Sequence, residues 1–135
     1  MKSTNSSLTI YIDGACKGNP GKSGVGMVIY DENGNKIKEI SKSIGITTNN
    51  VAEYTAFIFA LQEALFIGCR EVTVYTDSEL LCRQIKGQYK VKNNNLKILF
   101  NIAKNLISRY ESFYIENIPR ESNKIADKLA SKSIT

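Results

Sequence analysis

Histidine is absent from the chain, and so is tryptophan. Without an imidazole, Ser-His-Asp and Cys-His nucleophile systems, histidine general bases and histidine-rich zinc centres are excluded. Any chemistry must rest on carboxylates, hydroxyls, lysines or a metal held by oxygen. Cysteine is scarce: Cys16, Cys69 and Cys82 are odd in number and form no Cys-x-x-Cys pair, which argues against a zinc or redox centre and for a reducing, cytoplasmic compartment. Long apolar runs are missing too. The longest, Ala56 to Leu61, stops at Gln62 and Glu63, far short of the ~20 residues that cross a bilayer. Met1 to Ser7 is polar, so a soluble chain without an export signal or membrane partner is expected. A length of 135 residues leaves room for one buried core and not for two. The expectation is a single domain over residues 1–135, with a polar tail over 1–7, acting as a monomer.

What is present begins with charge. The net charge is +5, and its distribution is uneven: Leu80 to Tyr110 carries Arg83, Lys86, Lys90, Lys92, Lys97, Lys104 and Arg109 without one acid. Elsewhere, eleven basic residues face thirteen acidic ones. A solvated helix face would explain such a run. Its interleaving with Gln88, Tyr89, Asn93, Asn94 and Asn95 favours a phosphate-backbone partner.

Hydrophobic periodicity predicts the order β-β-β-α-β-α-α-β-α. Leu8 to Ile12 and Val25 to Tyr30 are β-rich runs, separated by GACKGNPGKSG, whose glycines and proline predict turns. A turn at Asp31 to Asn35 leads into a third antiparallel strand over Lys36 to Ile44. Val51 to Ile67 predicts a helix buried on most sides, with Asn50 as N-cap and Gly68 as its stop. Val72 to Thr76 reads as a central strand and Ser78 to Ile85 as a helix. Leu96, Leu99, Ile102, Ala103 and Leu106 mark another helix, Phe113 to Ile118 a last strand, and Ile125, Ala126, Leu129 and Ala130 the final helix.

Three acids sit where solvation alone does not account for them. Asp13 follows the first strand, Asp77 follows VTVYT, and Glu53 lies in the first turn of the most apolar helix. If those two strands are parallel neighbours, both aspartates emerge at one end of the sheet and the helix can bring Glu53 beside them. Clustered carboxylates resist joint ionisation unless a cation neutralises them, and an all-oxygen site suits Mg²⁺ or Mn²⁺. Each acid also has a plainer explanation: a turn start at Asp13-Gly14, a capping box between Asn50 and Glu53, a helix cap at Asp77-Ser78, a surface acid at Asp127. Only their coincidence weakens these. GNPGKS does not make a P-loop, because Cys16 stands where the first glycine should and a strand follows where a helix is required. YIDGA lacks the second nearby aspartate of an aspartyl-phosphate phosphatase.

Four blocks, YIDGACKGNPGKSGVGMVIY, TTNNVAEYTA, VYTDSELL and NKIADKLA, resemble in order and spacing the signature blocks of type 1 ribonuclease H over nearly the whole chain. The resemblance implies an α/β ribonuclease H-like fold, a five-stranded mixed sheet of three antiparallel and then parallel strands flanked by helices. It implies an endoribonuclease that cuts the RNA strand of RNA–DNA hybrids and leaves 5′-phosphate and 3′-hydroxyl ends. Asp13, Glu53, Asp77 and Asp127 would hold two Mg²⁺ ions, with Mn²⁺ as substitute, one activating water and one stabilising the departing 3′ oxygen. Cys16, Asn19, Asn49 and Ser78 would lie near the RNA strand, Thr48 would bind a DNA-strand phosphate, and Lys90 and Lys92 would belong to the nucleic-acid surface. Double-stranded RNA is a further candidate duplex.

The chain departs from the family pattern in three places. The loop before the last helix, Asn117 to Asn123, lacks the histidine of many members; Glu79 replaces a glutamine and Ile46 an arginine. The basic segment Lys86 to Lys97 is also short. The Arg120-x-x-Asn123 pattern resembles the histidine-lacking branch with archaeal and Bacillus-type members. A catalytically weak hybrid- or double-stranded-RNA-binding module is the alternative, and the four retained acids argue against it.

Overall fold

A computed structural model describes residues 5–135. The elements run β1 (Ser7–Gly18), β2 (Gly21–Tyr30), β3 (Lys36–Thr47), α1 (Asn49–Ile67), β4 (Glu71–Thr76), α2 (Glu79–Ile85), α3 (Asn94–Ile107), β5 (Ser112–Asn117), a 3-10 turn (Arg120–Ser122) and α4 (Lys124–Lys132). The five strands form one sheet in the order β3-β2-β1-β4-β5. β1, β2 and β3 pair antiparallel, whereas β4 joins β1, and β5 joins β4, in parallel. The predicted element order and the five-stranded mixed sheet are both present. Of the polar tail expected over 1–7, residues 1–4 lie outside the described residues, and Ser7 already belongs to β1.

Strand alternation sorts the sheet into two faces. Leu8, Ile10 and Ile12 of β1 and Val25, Met27 and Ile29 of β2 are buried with Tyr54, Phe57 and Leu61 of α1 in one core. Burying side chains of this size contributes roughly 1.5–3 kcal/mol each. α4 packs on β1, β2 and β3. A Cβ on Gly26 would overlap the backbone of Ala126 and Ala130, and one on Gly24 the Ser133 hydroxyl, so the α4-facing glycines are what let this helix lie close.

Two local expectations are corrected. The glycine-rich stretch after Ile12 is mostly strand: β1 continues to Gly18 and β2 starts at Gly21, leaving Asn19 and Pro20 as the turn. Asp13 is therefore inside β1, paired with Gly26, and is not a turn start. The second correction concerns α1. Its N-cap is Thr48, whose hydroxyl accepts from the Val51 amide at 3.3 Å, because the backbone leaving β3 is still extended at Thr48 and Asn50 is already helical. The Asn50–Glu53 capping box therefore does not form. Gly68, with φ of 100°, ends the helix as expected. Ser78 caps α2 through the Leu81 amide at 3.2 Å, which leaves the Asp77 carboxylate free of capping duty. Among the described residues no helix is long and apolar enough to cross a membrane.

Candidate active site

The site grows from register. Ile12 and Thr76 are directly opposed in the parallel β1–β4 pair, so the next residues, Asp13 and Asp77, stand side by side at one end of the sheet. Gly14 adds the third partner: a Cβ there would lie 2.6 Å from the Ala52 carbonyl carbon and 2.7 Å from the Glu53 nitrogen. Its absence lets the first turns of α1 close onto β1 and deliver Glu53. Carboxylate oxygens of Asp13, Glu53 and Asp77 all lie within 4.8 Å of one another. Asp127 comes from α4 and lies close enough to the Asp13 carboxyl to help raise its pKa. These four acids line one cleft of about 620 Å³ with Cys16, Asn49 and Arg120.

The electrostatics follow from crowding. Asp13 is only 5% exposed, and burial, then the charge of Asp77, then contact with Asp127 push its carboxyl up to about 8. Glu53 is raised well above the ordinary carboxylate range, chiefly by burial and then by Asp13 and Asp77. One Glu53 oxygen, Oε2, is buried without a hydrogen-bond partner. An orphaned carboxylate oxygen facing two further carboxylates is a costly arrangement for the bare protein and a fitting one for a hard divalent cation, which takes such oxygens at roughly 2.0–2.6 Å. Arg120 Nη2 stands 3.9 Å from Asp127 Oδ1, but that arginine is 81% exposed and neutralises little of the cluster.

One residue of the site carried no role in the sequence. Asn123, 1% exposed, donates from Nδ2 to the Ile12 carbonyl at 2.8 Å and to Asp77 Oδ2 at 3.3 Å, tying the start of α4 to β1 and orienting Asp77. Its sequence signals are its place at the head of the NKIADKLA block and in the Arg120-x-x-Asn123 pattern, neither of which says what its side chain does.

The residues implied for nucleic-acid contact are dispersed. Cys16 and Asn49 line the cleft; Asn19, Thr48, Ser78, Lys90 and Lys92 do not. Several have structural work as well. The Cys16 thiol donates to the carbonyls of Gly18 and Thr47 and receives the Ser23 hydroxyl. Asn19 Oδ1 accepts from the Asn49 amide at 3.0 Å, steadying the start of α1. Thr48 and Ser78 are helix caps. Lys90 and Lys92 stand in the segment between α2 and α3.

A family profile described as reverse transcriptase-like matches residues 11–133. A bifunctional protein of Mycobacterium tuberculosis is 37% identical over 128 residues, covering 94% of this chain and 35% of its own length. The ribonuclease HI of Halobacterium salinarum is 35% identical over 124 residues, covering 92% of this chain and 62% of its own. The chain thus spans about a third and three-fifths of these relatives. The solved N-terminal ribonuclease H domain of the mycobacterial protein superposes with a TM-score of 0.92 at 36% identity, over 96% of this chain and 99% of that one. LC11 ribonuclease H1, solved in complex with an RNA/DNA hybrid, superposes with a TM-score of 0.89 at 45% identity, over 94% of this chain and 96% of that one. Signature blocks, sheet order and these likenesses converge: the chain belongs to the type 1 ribonuclease H family of hydrolases.

Proposed function

We propose that the protein is a metal-dependent endoribonuclease that hydrolyses the RNA strand of RNA–DNA hybrids, leaving 5′-phosphate and 3′-hydroxyl ends. The observation that carries this is the convergence of Asp13, Glu53 and Asp77 at one sheet end, with Glu53 Oε2 buried and unpartnered. The substrate class comes from the relatives, of which LC11 ribonuclease H1 has been solved with a hybrid. When bound, a pair of Mg²⁺ ions, or Mn²⁺ in their place, would supply charge neutralisation, water activation and leaving-group stabilisation.

The chain's own residues supply the rest. Asp13, Glu53, Asp77 and Asp127 would hold the cations, and Asn123, which donates to Asp77 Oδ2, restrains that carboxylate. Cys16, Asn19, Asn49 and Ser78 border the path of the RNA strand. There, backbone and side-chain groups can meet 2′-hydroxyls, the chemical mark that separates RNA from DNA. Thr48 takes a DNA-strand phosphate, and Lys90 and Lys92 add non-specific attraction for the backbone. The protein acts as a monomer in the cytoplasm, in keeping with three free thiols at Cys16, Cys69 and Cys82.

The test is cleavage of end-labelled hybrid, double-stranded RNA, double-stranded DNA and single strands with Mg²⁺, Mn²⁺ or EDTA. Metal-dependent cutting of the hybrid's RNA strand is expected. Cutting of DNA alone, or undiminished cutting in EDTA, overturns the proposal, and the double-stranded RNA arm decides whether that duplex is a second substrate.

A further inference from the structure

The basic segment between α2 and α3 is short, but it is firmly braced. On its outer side Arg83 organises it: the Arg83 carbonyl accepts from the amides of Gln88 and Tyr89 at 2.8 and 3.2 Å. The Arg83 guanidinium lies 5.3 Å from the Tyr89 ring centroid and is itself held by Glu79 at 2.9 Å. Gly87, with φ of 78°, makes the sharp turn. Asn93 then caps α3 through the Leu96 amide at 3.1 Å.

The inner brace is different, because it leads to the acid cluster. Gln84, 5% exposed on α2, accepts from the Tyr54 hydroxyl at 2.6 Å and donates from Nε2 to the Lys90 carbonyl at 3.3 Å. Tyr54, 1% exposed, is the residue after Glu53 on α1. α2 itself starts two residues after Asp77. The lysine-bearing loop is thus linked to the elements carrying Glu53 and Asp77 through one buried chain of polar groups, Tyr54 to Gln84 to Lys90. A buried amide needs partners, but it does not need one on each of these two elements.

We infer that Gln84 is a positioning residue, which sets the offset between the acid cluster and the phosphate-binding lysines Lys90 and Lys92. It thereby fixes which backbone phosphates the loop holds relative to the one being cut. The inference rests on the proposed hybrid cleavage. A pre-ordered loop loses little freedom on binding, so a few lysines at a fixed offset can do the work of a longer, looser basic segment.

Gln84→Leu removes both bonds and Tyr54→Phe removes one, and neither touches the cleft. The measurements are KM and cleavage positions on a long end-labelled hybrid, the single-turnover rate at saturation, and activity on a hybrid too short to reach the loop. For Gln84→Leu, KM on the long hybrid should rise about tenfold, the loss of some 1.4 kcal/mol of binding. Its cleavage positions should spread, while the saturated rate and the short-hybrid activity stay unchanged. Tyr54→Phe should move the same readouts the same way but less, and it carries the test if Gln84→Leu does not fold. Lower thermal stability in both variants with unaltered KM and cleavage positions would make the chain of polar groups merely structural and overturn the inference. Lys90→Ala with Lys92→Ala separates the two levels. If those variants leave long-hybrid KM unchanged, the loop is no phosphate site and this inference falls with that reading. If they raise KM but the Gln84 and Tyr54 variants do not, this inference alone falls.

Discussion

Removing one charge from the acid cluster should abolish cleavage and make the metal-free protein more stable, not less. Asp13 is the residue of choice, because its carboxyl is buried and pushed from an ordinary 3.8 up to about 8, by burial first and by Asp77 and Asp127 after it. An acid whose folded pKa lies above its unfolded one gives up stability as it ionises. The native state is therefore fully stabilised below about pH 4 and weakens as pH rises toward about 8. At pH 7, about three pH units above the ordinary value, at roughly 1.4 kcal/mol each, that penalty is on the order of 4 kcal/mol. Asp13→Asn removes the penalty but leaves an amide that matches the hydrogen bonds of a carboxyl imperfectly, so a net gain of about 2 kcal/mol is expected. For a chain of this size that is roughly 6–8 °C in Tm. The assay is thermal melting by circular dichroism from pH 4.5 to 9, in EDTA and in Mg²⁺. In EDTA the wild type should lose stability steeply with rising pH and Asp13→Asn less so, since buried Glu53 still resists ionisation, and the two curves should cross toward the acid end, where the amide is the less stable; Mg²⁺ should raise the wild-type Tm alone. A variant less stable than wild type at every pH, with wild-type Tm flat across the range, would refute the electrostatic account and make Asp13 a structural member of β1.

Other expectations are sharper in kind than in size. Gly14→Ala sets a Cβ against the backbone of Ala52 and Glu53, so the start of α1 must move; a loss of about 2–3 kcal/mol in denaturant unfolding, with cleavage falling further than stability explains, is expected. Replacing Lys90 and Lys92 by alanine should lower the slope of log affinity against log salt by about 0.9 for each phosphate the loop no longer neutralises, measured by fluorescence anisotropy on a hybrid. With no histidine in the chain, single-turnover activity should rise through neutrality without a separate histidine-like step near pH 6 to 7, and turnover should be limited by product release. Coincident single-turnover and steady-state rates for wild type, Arg120→Ala and Glu121→Gln would contradict slow release. Loss of most single-turnover activity in Glu121→Gln would instead reveal an acid-base group in that loop.

Local pattern carries the elements and the identity of the acids, because strand and helix periods and apolar spacing are properties of neighbouring residues. VTVYT leading into Asp77 and the apolar run behind Glu53 are readable without a fold. The errors also have local causes. Glycine reads as punctuation after Ile12, yet Gly14 sits in regular strand because the backbone of α1 passes where a Cβ would stand, a meeting of segments far apart in sequence. Thr48 and Asn50 are both good caps, and what decides between them is where β3 releases the chain, a property of the sheet.

Asp127 and Asn123 show where local reading runs out. Each is an ordinary polar residue at the start of an amphipathic helix, and nothing in NKIADKLA says which way that helix faces. The direction is supplied by β2, whose Gly24 and Gly26 leave a shallow bed for α4, and by Asn123, whose amide reaches a carbonyl 111 positions earlier in the chain. Once α4 is seated there, Asp127 meets Asp13 and Asn123 meets Asp77. The fourth acid is thus placed by packing against the sheet, whereas the first and third are placed by strand register. The two kinds of placement should separate on substitution. Filling Gly26 with alanine should displace Asp127 and Asn123 while leaving Asp13 and Asp77 in register, so binding of the first cation, read by Mg²⁺-induced stabilisation, should outlast cleavage.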